Sequence, residues 1–243
     1  MLSHTKIRKI EAKYGMPFYI SDETAFRKNY DDIVSAFGKR YEKFILAYSY
    51  KTNYIPYLCG VIKSKGGFAE VVSRLEYDLA IKVGQKPNKI VFNGPVKRYE
   101  DIELALKNQS IVNLDSWSEI DHVAKYAKKN PNRKIKIGLR INIGLSDKSG
   151  QSHIQEHLKT GRFGFDPSDS NIKKVVSRLV DIGNVTVNSL HGHTSTTDRS
   201  VWCYKIITET LCQIAEKYFS ESVEYINIGG GIFGYMPPSM RWI

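Results

Sequence analysis

The sequence is short of the features that mark several whole classes of protein. It has only three cysteines, Cys59, Cys203 and Cys212, at unrelated spacings; an odd number so placed suits free thiols in a reducing compartment and not a disulfide framework or a zinc site. No apolar run approaches the roughly 18 residues that a membrane-spanning helix needs. The opening M-L-S-H-T-K-I-R-K-I lacks the apolar stretch of a secretory signal. A cytoplasmic chain with no membrane partner is therefore expected. There is no internal repeat and no low-complexity tract, which sets aside solenoids and long flexible linkers. Nor is there a basic run interleaved with aromatics. The 36 Lys and Arg outnumber the 25 Asp and Glu, for a formal charge of +11, but they scatter along helical stretches, as in Lys125, Lys128 and Lys129 or Lys173 and Lys174. That pattern describes solvated helix faces and predicts no nucleic-acid partner.

What is present is an ordinary globular composition over 243 residues, 42% hydrophobic and 25% charged, enough for one large core. Short β-branched or aromatic runs at 44–49, 68–72, 90–92, 111–114, 135–141, 185–191 and 225–228 alternate with amphipathic stretches near 54–64, 74–83, 98–108, 116–129, 170–181 and 199–218. A further helix is predicted near 22–38. Seven strands with a helix in each gap predict an α/β fold of the (β/α)8-type TIM barrel kind. A closed barrel needs eight strands, and the sequence ends about fifteen residues after the seventh run, so a barrel cut short after about seven strands is expected. Two segments break the rhythm. Residues 17–20 read as extended chain ahead of the first strand, a candidate for another sheet, and 142–167 is a Gly-, Ser- and His-rich connection long enough to be functional.

In such a barrel the active site lies at the C-terminal ends of the strands. Lys51 directly follows F-I-L-A-Y-S-Y, where a buried strand meets a turn, and an amine beside an apolar barrel mouth is a setting for Schiff-base chemistry. The alternative is a solvated loop lysine. Gly229, Gly230 and Gly231 come straight after Y-I-N-I, and glycine peptides can cradle a phosphate; the usual phosphate site in these barrels follows strands seven and eight. The alternative is a flexible turn. In S-L-H-G-H-T-S-T, spacing by two puts His191 and His193 on one face beside Thr194, Ser195 and Thr196. Arg140, ending K-I-G-L-R-I-N, and Glu70, ending G-F-A-E-V, fit the same rim, and either could equally be half of a structural ion pair. A separate pattern, H-I-Q-E-H at 153–157, has the H-x-x-E-H spacing of a zinc hydrolase. No third ligand is identifiable for it, and no metal is expected.

Taken in order, these motifs resemble the fold-type III pyridoxal-phosphate-dependent decarboxylases that act on diaminopimelate, ornithine, arginine and related amino acids. Y-S-Y-K-T-N resembles the family's lysine motif Y-A-V-K-A-N, G-G-F-A-E-V-V-S-R-L-E its G-x-G-F-D-V-x-S-x-x-E, and I-V-F-N-G-P-V-K the segment after it. V-N-L-D-S-W-S-E-I, L-R-I-N, G-R-F-G, L-H-G-H-T-S-T and I-N-I-G-G-G follow in the family's order. The resemblance implies that Lys51 forms the internal aldimine with pyridoxal 5'-phosphate, that His193 stacks on the cofactor ring, and that Gly229, Gly230 and Gly231 bind the phosphate with Thr196 assisting. Glu70, Glu76 and Arg140 would complete the cofactor shell. The implied reaction is loss of the α-carboxylate of an amino-acid substrate as carbon dioxide. H-L-K-T-G-R-F-G is most similar to the diaminopimelate branch, which would make meso-diaminopimelate the substrate and lysine the product.

The sequence departs from the family at Thr196 for serine, Ser195 for glycine, Arg162 for lysine and Glu70 for aspartate. The family continues with an eighth strand bearing E-P-G-R and a β domain that completes the partner subunit's site, and neither has a counterpart here. Residues 1–21 resemble the segment leading from that β domain, which leaves 22–243 as the barrel domain. The resemblance thus implies a homodimer whose interface depends on the β domain, and leaves open a barrel that binds the cofactor without turnover.

Overall fold

The computed structural model describes residues 3–145, 162–194 and 201–232. By contacts the chain divides into two compact units, Met1–Leu46 and Ala47–Ile243. The first holds two helices. α1, His4–Tyr14, is capped by Ser3, whose side chain accepts from Lys6 N–H, and stops at Gly15, where φ is +78°. α2, Glu23–Gly38, is capped by Asp22, which accepts from Ala25 N–H at 2.9 Å. The sequence reading assigns no helix ahead of Asp22, and the reason is physical: α1 buries no residue, so its sequence carries no apolar face to read, only the serine cap and the glycine stop. Residues 17–20 form no strand. Phe44 lies flat on Phe37 with ring centroids 4.2 Å apart, and the run expected to begin the first strand at 44 enters it only at Ala47.

Among the described residues, the second unit is one sheet of seven parallel strands in sequential order: β1 Ala47–Ser49, β2 Phe68–Val71, β3 Ile90–Phe92, β4 Ile111–Leu114, β5 Ile135–Ile141, β6 Val185–Gly192 and β7 Tyr225–Asn227. Between them run α3 Pro56–Ser64, α4 Arg74–Lys82, α5 Tyr99–Lys107, α6 Trp117–Lys129, α7 Asp169–Ile182 and α8 Val201–Phe219. This is the α/β barrel architecture expected, with a helix in every gap. Side chains alternate along the strands, with one irregularity in the β5–β6 pairing, where the register passes from Ile137–Val187 to Gly138–Ser189 and skips Asn188. Outward residues such as Val71, Phe92, Val112, Leu114, Ile137, Leu139, Ile141 and Leu190 pack with Tyr77, Ile102, Ile120, Val175 and Leu211 of the helices in one continuous core. The inward set is linked across the strands by register, Ala47 to Phe68, Ser49 to Glu70, Glu70 to Val91, Val91 to Ile111, Asn113 to Gly138, Arg140 to His191 and His191 to Asn227.

The inner face is layered. At its N-terminal end Phe68, Val91 and Ile111 cluster with Ala47 of β1 and Tyr225 of β7, so the two outermost strands meet one apolar plug and the sheet is rolled. Above the plug the face is polar. Gly138 makes room for it: a Cβ there would lie 1.8 Å from Asn113 Oδ1 and 2.9 Å from Ser189 Cβ.

The loops at the C-terminal edge are tied by a buried ion pair. Lys97 Nζ, with a side chain 0% exposed, meets Glu119 Oε2 at 2.9 Å and donates to the carbonyls of Gly94 at 2.6 Å and Asn113 at 2.8 Å. Glu119 in turn accepts from the backbone N–H groups of Lys97 at 2.8 Å and Asp115 at 2.7 Å. The ammonium has three acceptors and the carboxylate three donors, which is what lets the pair survive desolvation. Replacing Lys97 by Met should leave Glu119 buried and unpaired. The expected loss is about 3–5 kcal/mol in urea unfolding, against less than about 0.5 kcal/mol for the exposed Lys128→Met; equal small losses in both variants would show that the pair does not tie the loops.

Candidate functional site at the strand ends

Lys51 stands two residues beyond β1 in a turn held at three points. Tyr50 N–H donates to Glu70 O at 2.9 Å, Thr52 Oγ1 donates to Ser49 O at 2.8 Å, and the Tyr50 side chain is fully buried against Cys59. The Lys51 side chain itself is exposed. Its charge acts on two groups from other strands, the Glu70 carboxylate of β2 and the His193 ring beyond β6.

Glu70 lies on the inner face with Ser49 and Asn93 hydrogen-bonded to its carboxylate, and Asn113 Nδ2 donates to Asn93 Oδ1 at 2.6 Å. A polar chain thus crosses β1 to β4. Burial pushes the Glu70 carboxyl up, while Ser49, Lys51 and Asn93 oppose it. Glu76 is placed differently: it sits in the first turn of α4, where its carboxylate accepts from Val72 N–H at 2.8 Å and its own N–H donates to the Ser73 cap at 3.3 Å. That is a helix-start arrangement, and Glu76 meets the site through its repulsion of Glu70.

Arg140, near the end of β5, pairs with Asp115 Oδ2 at 3.3 Å, reaches His193 O at 3.4 Å and lies 4.9 Å from the centroid of the Phe163 ring. Asp115 also accepts from Gly164 N–H at 3.1 Å. The returning segment is stitched to β5, with Phe165 N–H donating to Arg140 O and Asn142 N–H to Phe165 O, both at 2.8 Å. A cleft of about 560 Å³ adjoins it, lined among others by Asp115, Trp117, Arg162 and Phe163.

His191 and His193 do share a face, their rings 20° from parallel with centroids 6.4 Å apart. His191 is buried and hydrogen-bonded to Asn227, and burial, then Arg140 and His193, bring its pKa down to about 3. Burial, then Arg140 and Lys51, bring His193 down to about 4. Both rings are neutral near pH 7. After β7, Gly229 (φ +78°) and Gly231 (φ +88°) take conformations that glycine adopts without strain. Gly230 N–H donates to His193 Nδ1 at 3.3 Å, so the loop touches the imidazole.

The structure therefore brings Lys51, Glu70, Arg140, His193 and the three glycines to one edge of the inner face and sets Glu76 just behind it. Thr196, and the H-x-x-E-H segment at 153–157, lie outside the described residues. Among the described residues no group of three or more His, Cys, Asp or Glu could hold a metal ion, and no helix is long and apolar enough to cross a membrane. Sequence reasoning passed over Asn93, Asn113, Asp115 and Asn227. The period of two was available for the middle pair, since I-V-N-L-D puts Ile111, Asn113 and Asp115 on one face.

Fold and site define a parallel α/β barrel domain with an amine, a neutral imidazole and a glycine loop at the C-terminal edge of its strands. Residues 25–237 match the family model for the pyridoxal-binding domain of pyridoxal-dependent decarboxylases, and the chain belongs to that family. Its cofactor is pyridoxal phosphate. It is 27% identical over 227 residues to diaminopimelate decarboxylase of Methanothermobacter thermautotrophicus, an alignment covering 90% of this chain and 50% of the relative. The crystal structure of diaminopimelate decarboxylase from Methanocaldococcus jannaschii superposes with a TM-score of 0.79 at 28% identity, over 92% of this chain and 53% of that one. The Helicobacter pylori diaminopimelate decarboxylase, crystallised with L-lysine, shares the fold at a TM-score of 0.77 and 24% identity, over 93% of this chain and 57% of that one. The chain spans about half the length of the curated relatives it matches. The family and fold expected from the ordered motifs are both met.

The donor set suits a phosphorylated aromatic aldehyde. An amine stands ready for the aldehyde carbon, an uncharged flat ring faces the same edge, and glycine peptides flank it. Arg140 Nε and His191 Nδ1, buried without a hydrogen-bond partner among the described residues, mark the inner face as one that a polar group can satisfy.

Both histidines titrate far below an ordinary imidazole near 6.5, so the unfolded chain takes up protons that the folded chain refuses. Stability contributed by the neutral rings is fully present above about pH 6.5 and is lost as pH falls toward 3 to 4. Imidazole NMR titration, assigned with His191→Asn and His193→Asn, should give midpoints near 3 and near 4; midpoints near 6.5 would contradict the burial and charge argument.

Proposed function

We propose that the chain holds pyridoxal phosphate through Lys51 Nζ and supplies the barrel half of a decarboxylase acting on meso-diaminopimelate to give lysine. The observation that carries this is the convergence at one strand edge of Lys51, Glu70, His193 and the loop at Gly229–Gly231, in a chain of the pyridoxal-dependent family. Substrate choice rests on the relatives named above, diaminopimelate decarboxylases that this chain matches over about half of their length.

In this reading each residue has a definable task. Lys51 would hold the cofactor covalently at its aldehyde carbon, on a turn whose backbone is fixed by β2. His193, neutral, would lie against the ring without setting a second positive charge beside Lys51. Arg140, held by Asp115, contributes a charge that cannot be titrated away. Glu70 would keep a carboxylate near Lys51, and the glycine peptides, with Thr196, would take the phosphate. When bound, the cofactor supplies an electron sink for the pair left by a departing carboxylate. The same reading makes the working form a cytoplasmic homodimer, with Cys59, Cys203 and Cys212 reduced.

A second reading is a barrel that binds the cofactor without turnover. Two measurements separate the readings. Pyridoxal phosphate added to the chain should produce a visible absorbance band that Lys51→Ala loses; its persistence in that variant would remove Lys51 from the proposal. Carbon dioxide release from meso-diaminopimelate, faster than from ornithine, lysine or arginine, supports the enzyme. The band without any release supports the binder.

A further inference from the structure

The glycine loop after β7 has two of its peptide N–H groups committed to protein acceptors. Gly229 N–H donates to Asn227 Oδ1 at 2.9 Å and Gly230 N–H donates to His193 Nδ1 at 3.3 Å. Asn227 is bonded to His191, so each histidine of the β6 segment governs one peptide of the loop, His191 through Asn227 and His193 directly. The approach is sterically close as well as polar. A Cβ on Gly229 would lie 2.7 Å from His193 Nδ1 and 2.8 Å from His193 Cβ. Tyr204 of α8 holds the other side of Gly230, its hydroxyl donating to the carbonyl at 3.1 Å.

An N–H points well at one acceptor at a time. Because His193 Nδ1 accepts here, the ring proton is on Nε2. A phosphate oxygen that takes the Gly230 N–H must displace Nδ1, and the exchange runs in its favour: a charge-assisted bond to a phosphate is about twice as strong as a neutral one, and the bond it replaces is a long one.

We propose that His193 Nδ1 is a latch on the glycine loop, competing with phosphate for the Gly230 N–H, so that phosphate binding frees the imidazole. This rests on the cofactor reading for its physiological ligand and not for its test. The loop and the ring are then set by one event: the group that anchors the cofactor's phosphate also releases the ring that lies against it.

The test uses the whole ¹⁵N-labelled chain at pH 7.5, with inorganic phosphate as one probe and pyridoxal phosphate as the other. Long-range ¹H–¹⁵N spectra should show His193 as the Nε2–H tautomer with a hydrogen-bonded Nδ1. Saturating inorganic phosphate should move Nδ1 toward its unbonded position and shift the Gly230 amide together with it. His193→Phe, which lacks the acceptor, should bind phosphate about two- to tenfold more tightly, the range that one net hydrogen bond sets; if that variant does not fold, the Nδ1 signal of the unmodified chain decides. A Gly230 shift with Nδ1 unmoved overturns the latch, as does phosphate moving neither. Pyridoxal phosphate separates the two claims. Visible absorbance with a static Nδ1 sinks the latch and keeps the cofactor reading, whereas an Nδ1 response to phosphate with no absorbance keeps the latch and sinks the reading.

Discussion

The alternation of side chains along rolled parallel strands governs every other feature of the strand-bearing unit. One face of the sheet lies under helices and can only be apolar; the other meets mostly its own strands. Register carries the division across the sheet, Ser49 beside Glu70, Asn113 beside Gly138, Arg140 beside His191 beside Asn227. A slip of one residue would drive Glu70, Arg140 and His191 under the helices and set Val71, Ile141 and Leu190 on the inner face. Register and site are therefore a single property. The apolar plug of Phe68, Val91, Ile111, Ala47 and Tyr225 closes the lower end of the inner face, and that leaves the polar residues at the C-terminal edge of the strands.

Desolvation acts on all these groups alike and has different consequences for each. It pushes the carboxyls of Glu70 and Asp115 up and the imidazoles of His191 and His193 down, each toward its neutral form. Arg140 cannot follow, because its guanidinium keeps its proton throughout the accessible range. It becomes the fixed positive charge that both histidines sense, and Asp115 is the counterion that makes its burial tolerable. Lys97 and Glu119 solve the same problem one layer further out with complete hydrogen bonding. Glu119 also holds the Asp115 backbone, so the outer ion pair fixes the place from which the inner one starts.

Much of this was legible in the sequence, and the reasons can be located. The strand runs at 135–141 and 90–92 are β-branched and bounded by turn residues, and they appear with the expected limits. Lys51, His193 and Gly229–Gly231 could be placed because strand ends and the phosphate position of a barrel are geometric facts once the βα rhythm is seen. α1 could not, since an exposed helix has no apolar stripe. Glu76 illustrates a different limit. Its spacing from Ser73 matches the start of a helix as well as it matches a family motif, and only coordinates show its carboxylate on Val72 N–H. The pairing of Lys97 with Glu119 was hidden for a stronger reason, although both lie in the family-like motifs: 22 residues separate them, and a charged residue in a sequence reads as surface until its partner is known.

Among the described residues, four buried polar atoms of the inner face have no hydrogen-bond partner: Asn113 Oδ1, Arg140 Nε, Ser189 Oγ and His191 Nδ1. They fall on β4, β5 and β6, next to one another by register. Each would cost about 1–3 kcal/mol if apolar material filled the space beside it, a sum that a domain of this size could not absorb easily against a typical stability of about 5–15 kcal/mol. The described part of the inner face thus presents polar atoms that a polar group can satisfy, and they are held to different degrees. Asn113 is fixed against Gly138 and His191 is fixed by Asn227, but His193 is tied to the glycine loop by one long bond. The two histidines look equivalent in the sequence, two residues apart at the end of one β run, although β6 ends at Gly192 and His193 lies just beyond it. Packing separates their roles: the His191 ring is bonded within the sheet to Asn227, and the His193 ring accepts from the Gly230 N–H, a contact that a ligand can replace.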